Sequence, residues 1–77
     1  MPTVMRKDGY RFFFFSDEHD PEHIHIEKGE SYVRIEIESM KVTHRYKISS
    51  KEVNRLIKLV EQHKTELMEA WNEHFKK

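Results

Sequence analysis

His23-Ile24-His25-Ile26-Glu27, followed by the turn Lys28-Gly29-Glu30-Ser31 and then Tyr32-Val33-Arg34-Ile35-Glu36-Ile37-Glu38, decides the fold. Both halves alternate apolar and polar residues, the signature of a strand buried on one face. Ile24 and Ile26 are expected to point inward with Val33, Ile35 and Ile37. Tyr32, Arg34, Glu36 and Glu38 take the opposite face, and His23 and His25 share it, so both imidazoles are expected to turn away from the core toward solvent or a partner.

Upstream, Asp8-Gly9 is a two-residue turn signal that tolerates positive φ at both positions, and it separates Thr3 to Lys7 from the run Tyr10 to Phe15. This predicts a hairpin in which Lys7 faces Tyr10, Arg6 faces Arg11, Met5 faces Phe12 and Val4 faces Phe13. The phenylalanine run from Phe12 to Phe15 requires cover on both faces of that strand. Downstream, Ser39-Met40 interrupts the alternation. Lys41 to Tyr46 resumes it more weakly as a fifth strand, with Val42, His44 and Tyr46 the inward set and His44 partly buried.

From Ser49 the period becomes helical. Ser49 with Glu52 three residues on is a capping box. Val53, Leu56, Ile57, Val60, Leu67, Met68, Trp71 and Phe75 form one apolar stripe, interrupted at Lys64. A helix to about Phe75 would be roughly 40 Å long at about 1.5 Å per residue, against strands spanning about 20 Å. The excess is expected to overhang the sheet and to bury Leu67, Met68, Trp71 and Phe75 in a homodimer or against a small partner chain. A kink near His63 that folds the helix back is the alternative.

The expected fold is therefore α+β: one domain over residues 1–77, with an antiparallel sheet of four to five strands at about 3–46, N-terminal hairpin first, packed on one long C-terminal helix at about 50–75. A chain of 77 residues builds only a small core. It holds no cysteine, which excludes disulfides and zinc-thiolate sites. Fourteen basic residues balance fourteen acidic ones, so no global field favours nucleic acid, and DNA contact stays open. No apolar run approaches the length of a membrane span and the start lacks a secretory leader, so the expectation is a cytoplasmic protein with no membrane partner.

Met1-Pro2-Thr3, Gly9-Tyr10 leading into the aromatic strand, Glu18-His19-x-Pro21-x-His23-x-His25 and His63-x-x-Glu66-Leu67-x-x-x-Trp71 together resemble the small bacterial proteins grouped as domain of unknown function 4160. Glu22 stands where that pattern often has proline, and Ile24 where an aromatic often separates the histidines. The resemblance implies a compact α+β fold and a place among toxin and antitoxin gene pairs.

The outward face would carry Arg6, Arg11, Phe13, Phe15, His23, His25, Glu27, Arg34 and Glu36. Arg6 and Arg11 lie opposite each other, which is unfavourable unless a carboxylate or a ligand anion intervenes. Solvated sheet polarity is the plain reading. The functional one is a protein-interaction surface of Arg6, Arg11, Phe13, Phe15 and Arg34, joined by Leu67, Trp71 and Phe75 of the helix end. His23 and His25, completed by His19 or Glu18, would also suit a divalent metal such as zinc, nickel or non-haem iron. Serine nucleophiles lack an elbow context and both glycines belong to turns, so no catalytic residue is assigned. The sequence favours a non-enzymatic interaction module of toxin–antitoxin type; the alternative is a metal-dependent hydrolase or nuclease built on the His-x-His strand.

Overall fold

The computed structural model describes residues 3–15 and 21–75. Five strands, β1 (Thr3–Lys7), β2 (Tyr10–Phe13), β3 (His23–Lys28), β4 (Ser31–Glu36) and β5 (Val42–Tyr46), precede two helices, α1 (Ser50–Gln62) and α2 (Lys64–Phe75). The strands form one antiparallel meander in the order β1-β2-β3-β4-β5.

The hairpin turns where the sequence places it, with Asp8 at φ 53° and Gly9 at φ 84°. Lys7 pairs Tyr10, Arg6 pairs Arg11 and Met5 pairs Phe12 as expected, but Thr3 rather than Val4 meets Phe13 because a bulge intervenes. In the centre Ile24 pairs Ile35 and Ile26 pairs Val33. These four, with Phe12, are fully buried in the core, where Leu56, Leu59 and Val60 of α1 join them.

β5 departs from the alternation. Val42 pairs Ile35 on the core face, but a register shift between Arg34 and Ile35 brings His44 opposite Arg34 and Tyr46 opposite Tyr32. One extra residue reverses the facing of everything beyond it. His44 and Tyr46 are exposed on the outer face, correcting the expectation that they point inward and that His44 is partly buried.

Ser49 caps α1, its hydroxyl accepting the Glu52 N–H at 3.1 Å. The Glu52 carboxylate is taken up across the fold instead, accepting from the Tyr10 hydroxyl at 2.6 Å. Arg55 binds Asp8 at 2.7 Å, so α1 is tied to both ends of the hairpin turn.

The single long helix is a pair. The chain breaks at His63 (φ −107°, ψ 18°) and α2 starts afresh at Lys64. A straight helix over these residues would run about 38 Å, beyond the 34 Å longest dimension of the molecule. Lys64, the residue that interrupts the apolar stripe, pairs with Glu38 in the β4–β5 turn at 3.0 Å, and His63 pairs with Glu66 at 2.9 Å. Bending lets Leu67 and Trp71 return to the core, where both are fully buried. The expected overhang is thus replaced by the fold-back, and the helix end no longer requires a second chain to cover it.

Burial and the bond to Glu52 push the Tyr10 hydroxyl up to about 12. The same bond, aided by Arg55, holds the Glu52 carboxyl below its ordinary value of 4.5. Tyr10 therefore contributes stability that is complete below its ordinary value of 10 and is lost as pH rises through about 12. Glu52 contributes stability that is complete above 4.5 and is lost as pH falls through its lowered folded value. Tyr10→Phe should lower the urea midpoint at neutral pH, and the gap to the parent should narrow at both the acid and alkaline ends. A gap of constant size across the range would show that the bond carries no such linkage.

Candidate functional site

The alternation of β3 places the two imidazoles on one face, with ring centroids 5.1 Å apart and edge to face. They do not reach solvent. His23 and His25 are each only 3% exposed, and they are the buried polar residues of the described chain. The rings do face away from Ile24 and Ile26 as expected, but they are not solvated, because aromatic side chains lie over this face. The β2 strand ends at Phe13, and the continuing phenylalanines serve both sides of the sheet. Phe15 lies over His25 at 4.3 Å and Phe13 stacks beside it at 5.4 Å, while Phe14 turns to Trp71 at 5.3 Å. Trp71, carried back by α2, reaches His23 at 5.2 Å. The phenylalanine run was read correctly as needing two-sided cover, and the histidines are part of what it covers.

The register builds the face in rows. Phe13, His25, Arg34 and His44 stand opposite one another across β2 to β5, and Arg11, Glu27, Tyr32 and Tyr46 form the next row. The Tyr32 hydroxyl and His25 Nδ1 share a hydrogen bond of 2.7 Å, and the two rings stack at 5.9 Å. An aromatic band therefore runs from Phe15 through His25 and Tyr32 to Tyr46. Its ends are the exposed large hydrophobic residues of the described chain, Phe15 at 40% and Tyr46 at 59%.

The charges on this face differ in their satisfaction. Arg11 bonds Glu27 at 2.9 Å and Thr3 at 2.9 Å, and its guanidinium lies 4.2 Å from the centre of the Phe13 ring. Glu27 thus neutralises the Arg11 member of the Arg6–Arg11 pair. Arg34 has no such relief. Among the described residues its one side-chain neighbour within hydrogen-bond range is His23 Nδ1, 3.5 Å from Nη2. That nitrogen lies 2.9 Å from the Pro21 carbonyl, which can only accept, so it carries a proton and faces the guanidinium donor to donor. Arg34 Nε is buried without a partner, as is Trp71 Nε1.

Of the residues singled out for metal, His23 and His25 are brought together, while Glu18 and His19 lie outside the described residues. Among the described residues no group of three or more His, Cys, Asp or Glu is placed to hold a metal ion. Of the residues singled out for interaction, Phe15 and Arg6 are exposed and Arg11, Arg34 and Phe75 partly so. Phe13, Leu67 and Trp71 are interior and cannot themselves meet a partner. Tyr32 and Tyr46 belong to the face and were not singled out. Tyr32 was legible as an outward position of its strand; Tyr46 was hidden by the bulge.

Fold and face together define a small α+β domain whose meander is covered by helix on one side and by an aromatic, arginine-bearing band on the other. Residues 9–72 match the family described as Domain of unknown function (DUF4160), and the chain belongs to that family. No curated protein matches the chain, nor does any solved structure. No described helix is long and apolar enough to cross a membrane.

Proposed function

We propose that the protein is a non-enzymatic interaction module which binds a small protein partner through the sheet face opposite α1, as the antitoxin-like member of a gene pair. The observation that carries this reading is the band ending in exposed Phe15 and Tyr46. Aromatic and arginine side chains are the residue types that concentrate binding energy at interfaces, and here a rigid sheet holds them in place. Leu67 and Trp71 of the helix end are buried within the chain, which favours the sheet face as the binding surface.

Co-expression with the product of the adjacent gene tests the proposal. The parent chain should co-purify with it, and Phe15→Ser combined with Tyr46→Ser should lose it while the melting temperature stays within a few degrees. Equal capture by both chains, or no capture by the parent, would sink the reading. Sedimentation of the chain alone reports whether the same face instead joins two copies.

The rival, a metal-dependent hydrolase or nuclease, has the adjacent His23 and His25 rings in its favour. It requires zinc or nickel to raise the melting temperature of the parent and not of the His23→Ala/His25→Ala variant. On the interaction reading the parent does not respond to either metal.

A further inference from the structure

We infer that the outer sheet face also holds a binding site for a small oxyanion, of carboxylate or phosphate type, where Arg34 and Trp71 flank the His23 ring. The buried side-chain nitrogen and oxygen atoms left without a partner in the described chain are Arg34 Nε and Trp71 Nε1. Both are donors, and both belong to side chains that contact the same imidazole, Arg34 at 3.5 Å and Trp71 at 5.2 Å between ring centres. Orphaned buried donors are uncommon because each forfeits its hydration without return. Two such donors, on side chains that touch one imidazole, are the observation from which a missing acceptor is inferred.

The charge on Arg34 identifies that acceptor as an anion. Every other arginine whose side chain bonds within the described chain finds an oxygen: Arg11 on Glu27, Arg55 on Asp8 and Arg45 on the Ile48 carbonyl. Among the described residues the Arg34 side chain meets only the Nδ1–H of His23, and its cross-strand neighbours are His25 and His44. The nearest acid along its own face, Glu36, is held instead by the Ser39 hydroxyl at 2.9 Å. A half-buried guanidinium ringed by imidazoles is the setting in which an oxyanion gains charge-assisted hydrogen bonds that water cannot match. Trp71 supplies a neutral donor that no described residue accepts. Oxyanion binding here needs no protein partner, so it stands or falls separately from the interaction reading.

The chain has a single tryptophan, so its indole N–H gives one assignable resonance in a nitrogen–proton correlation spectrum. The labelled full chain is titrated with sodium phosphate, with sodium acetate and with sodium chloride at matched pH and ionic strength. The expected result is a saturable shift of the indole signal with phosphate, with acetate or with both, and none with chloride. The two anions separate a tetrahedral preference from a planar one. Arg34→Gln should weaken the apparent affinity by about tenfold or more, the weight of one charged hydrogen bond, with the remaining amide spectrum preserved. Lys58→Gln, which removes an exposed cation from α1, should leave the titration unchanged. Trp71→Phe, followed through the amides of β3 and β4, should bind more weakly than the parent. An indole signal unmoved by either oxyanion, moved equally by chloride, or titrating identically in Arg34→Gln would overturn the inference.

Discussion

Trp71→Ala is expected to destabilise the protein by about 3–5 kcal/mol, the cost of emptying a fully buried aromatic site. Trp71 has no exposed surface, and it contacts Phe14 at 5.3 Å, Phe75 at 4.3 Å and His23 at 5.2 Å. It is the peg by which α2, after the break at His63, is fastened across the end of the sheet. In a domain whose total stability is of the order of 5–15 kcal/mol, such a loss leaves a substantial unfolded fraction at moderate temperature. Urea denaturation followed by far-ultraviolet circular dichroism reads it directly. A variant with an unchanged midpoint but altered association would mean that the tryptophan faces a second chain, and the fold-back of α2 would have to be abandoned.

Ile26→Ala should cost about 2–5 kcal/mol by the same reasoning. Ile26 lies at the middle of the sheet, opposite Phe12 on one side and Val33 on the other, and is fully buried. The contrast is with Phe15→Ser, which removes a larger side chain from the same two central strands' outer cover yet should change stability far less, because Phe15 is 40% exposed. Paired denaturation curves of the two variants separate the core face from the binding face. Equal losses would show that the outer band is structural packing rather than a surface kept for a partner.

Period-two alternation made the central pair of strands readable, since Ile24, Ile26, Val33 and Ile35 leave one register that buries all four. The Asp8-Gly9 turn was equally plain because its positive φ angles restrict the residues that fit. Three features escaped, the first being the β1 bulge that sets Thr3 rather than Val4 against Phe13. The β5 bulge inserts a residue without any glycine to announce it, so His44 and Tyr46 were assigned to the wrong face. The break at His63 carries no proline or glycine either; the interruption of the apolar stripe at Lys64 and the mismatch between helix length and sheet width were the signals of a bend.

The site was half legible for a related reason. Strand geometry correctly put His23 and His25 side by side. The described rings that lie against them, Phe15 and Trp71, arrive from a loop and from the far end of the chain. Local periodicity says which way a side chain points, whereas what lies over it is set by long-range packing. Arg34 shows the same limit. Its outward position followed from alternation, but that no described carboxylate bonds it is a property of the assembled face.

Mapping the partner's footprint on the labelled chain by amide chemical-shift perturbation tests the central claim most directly. Binding through the aromatic band should shift Phe15, Tyr32, Arg34, His44 and Tyr46 while leaving the exposed side of α1, Asn54, Arg55, Lys58 and Glu61, where it was. Perturbations gathered on α1, with the band silent, would contradict it.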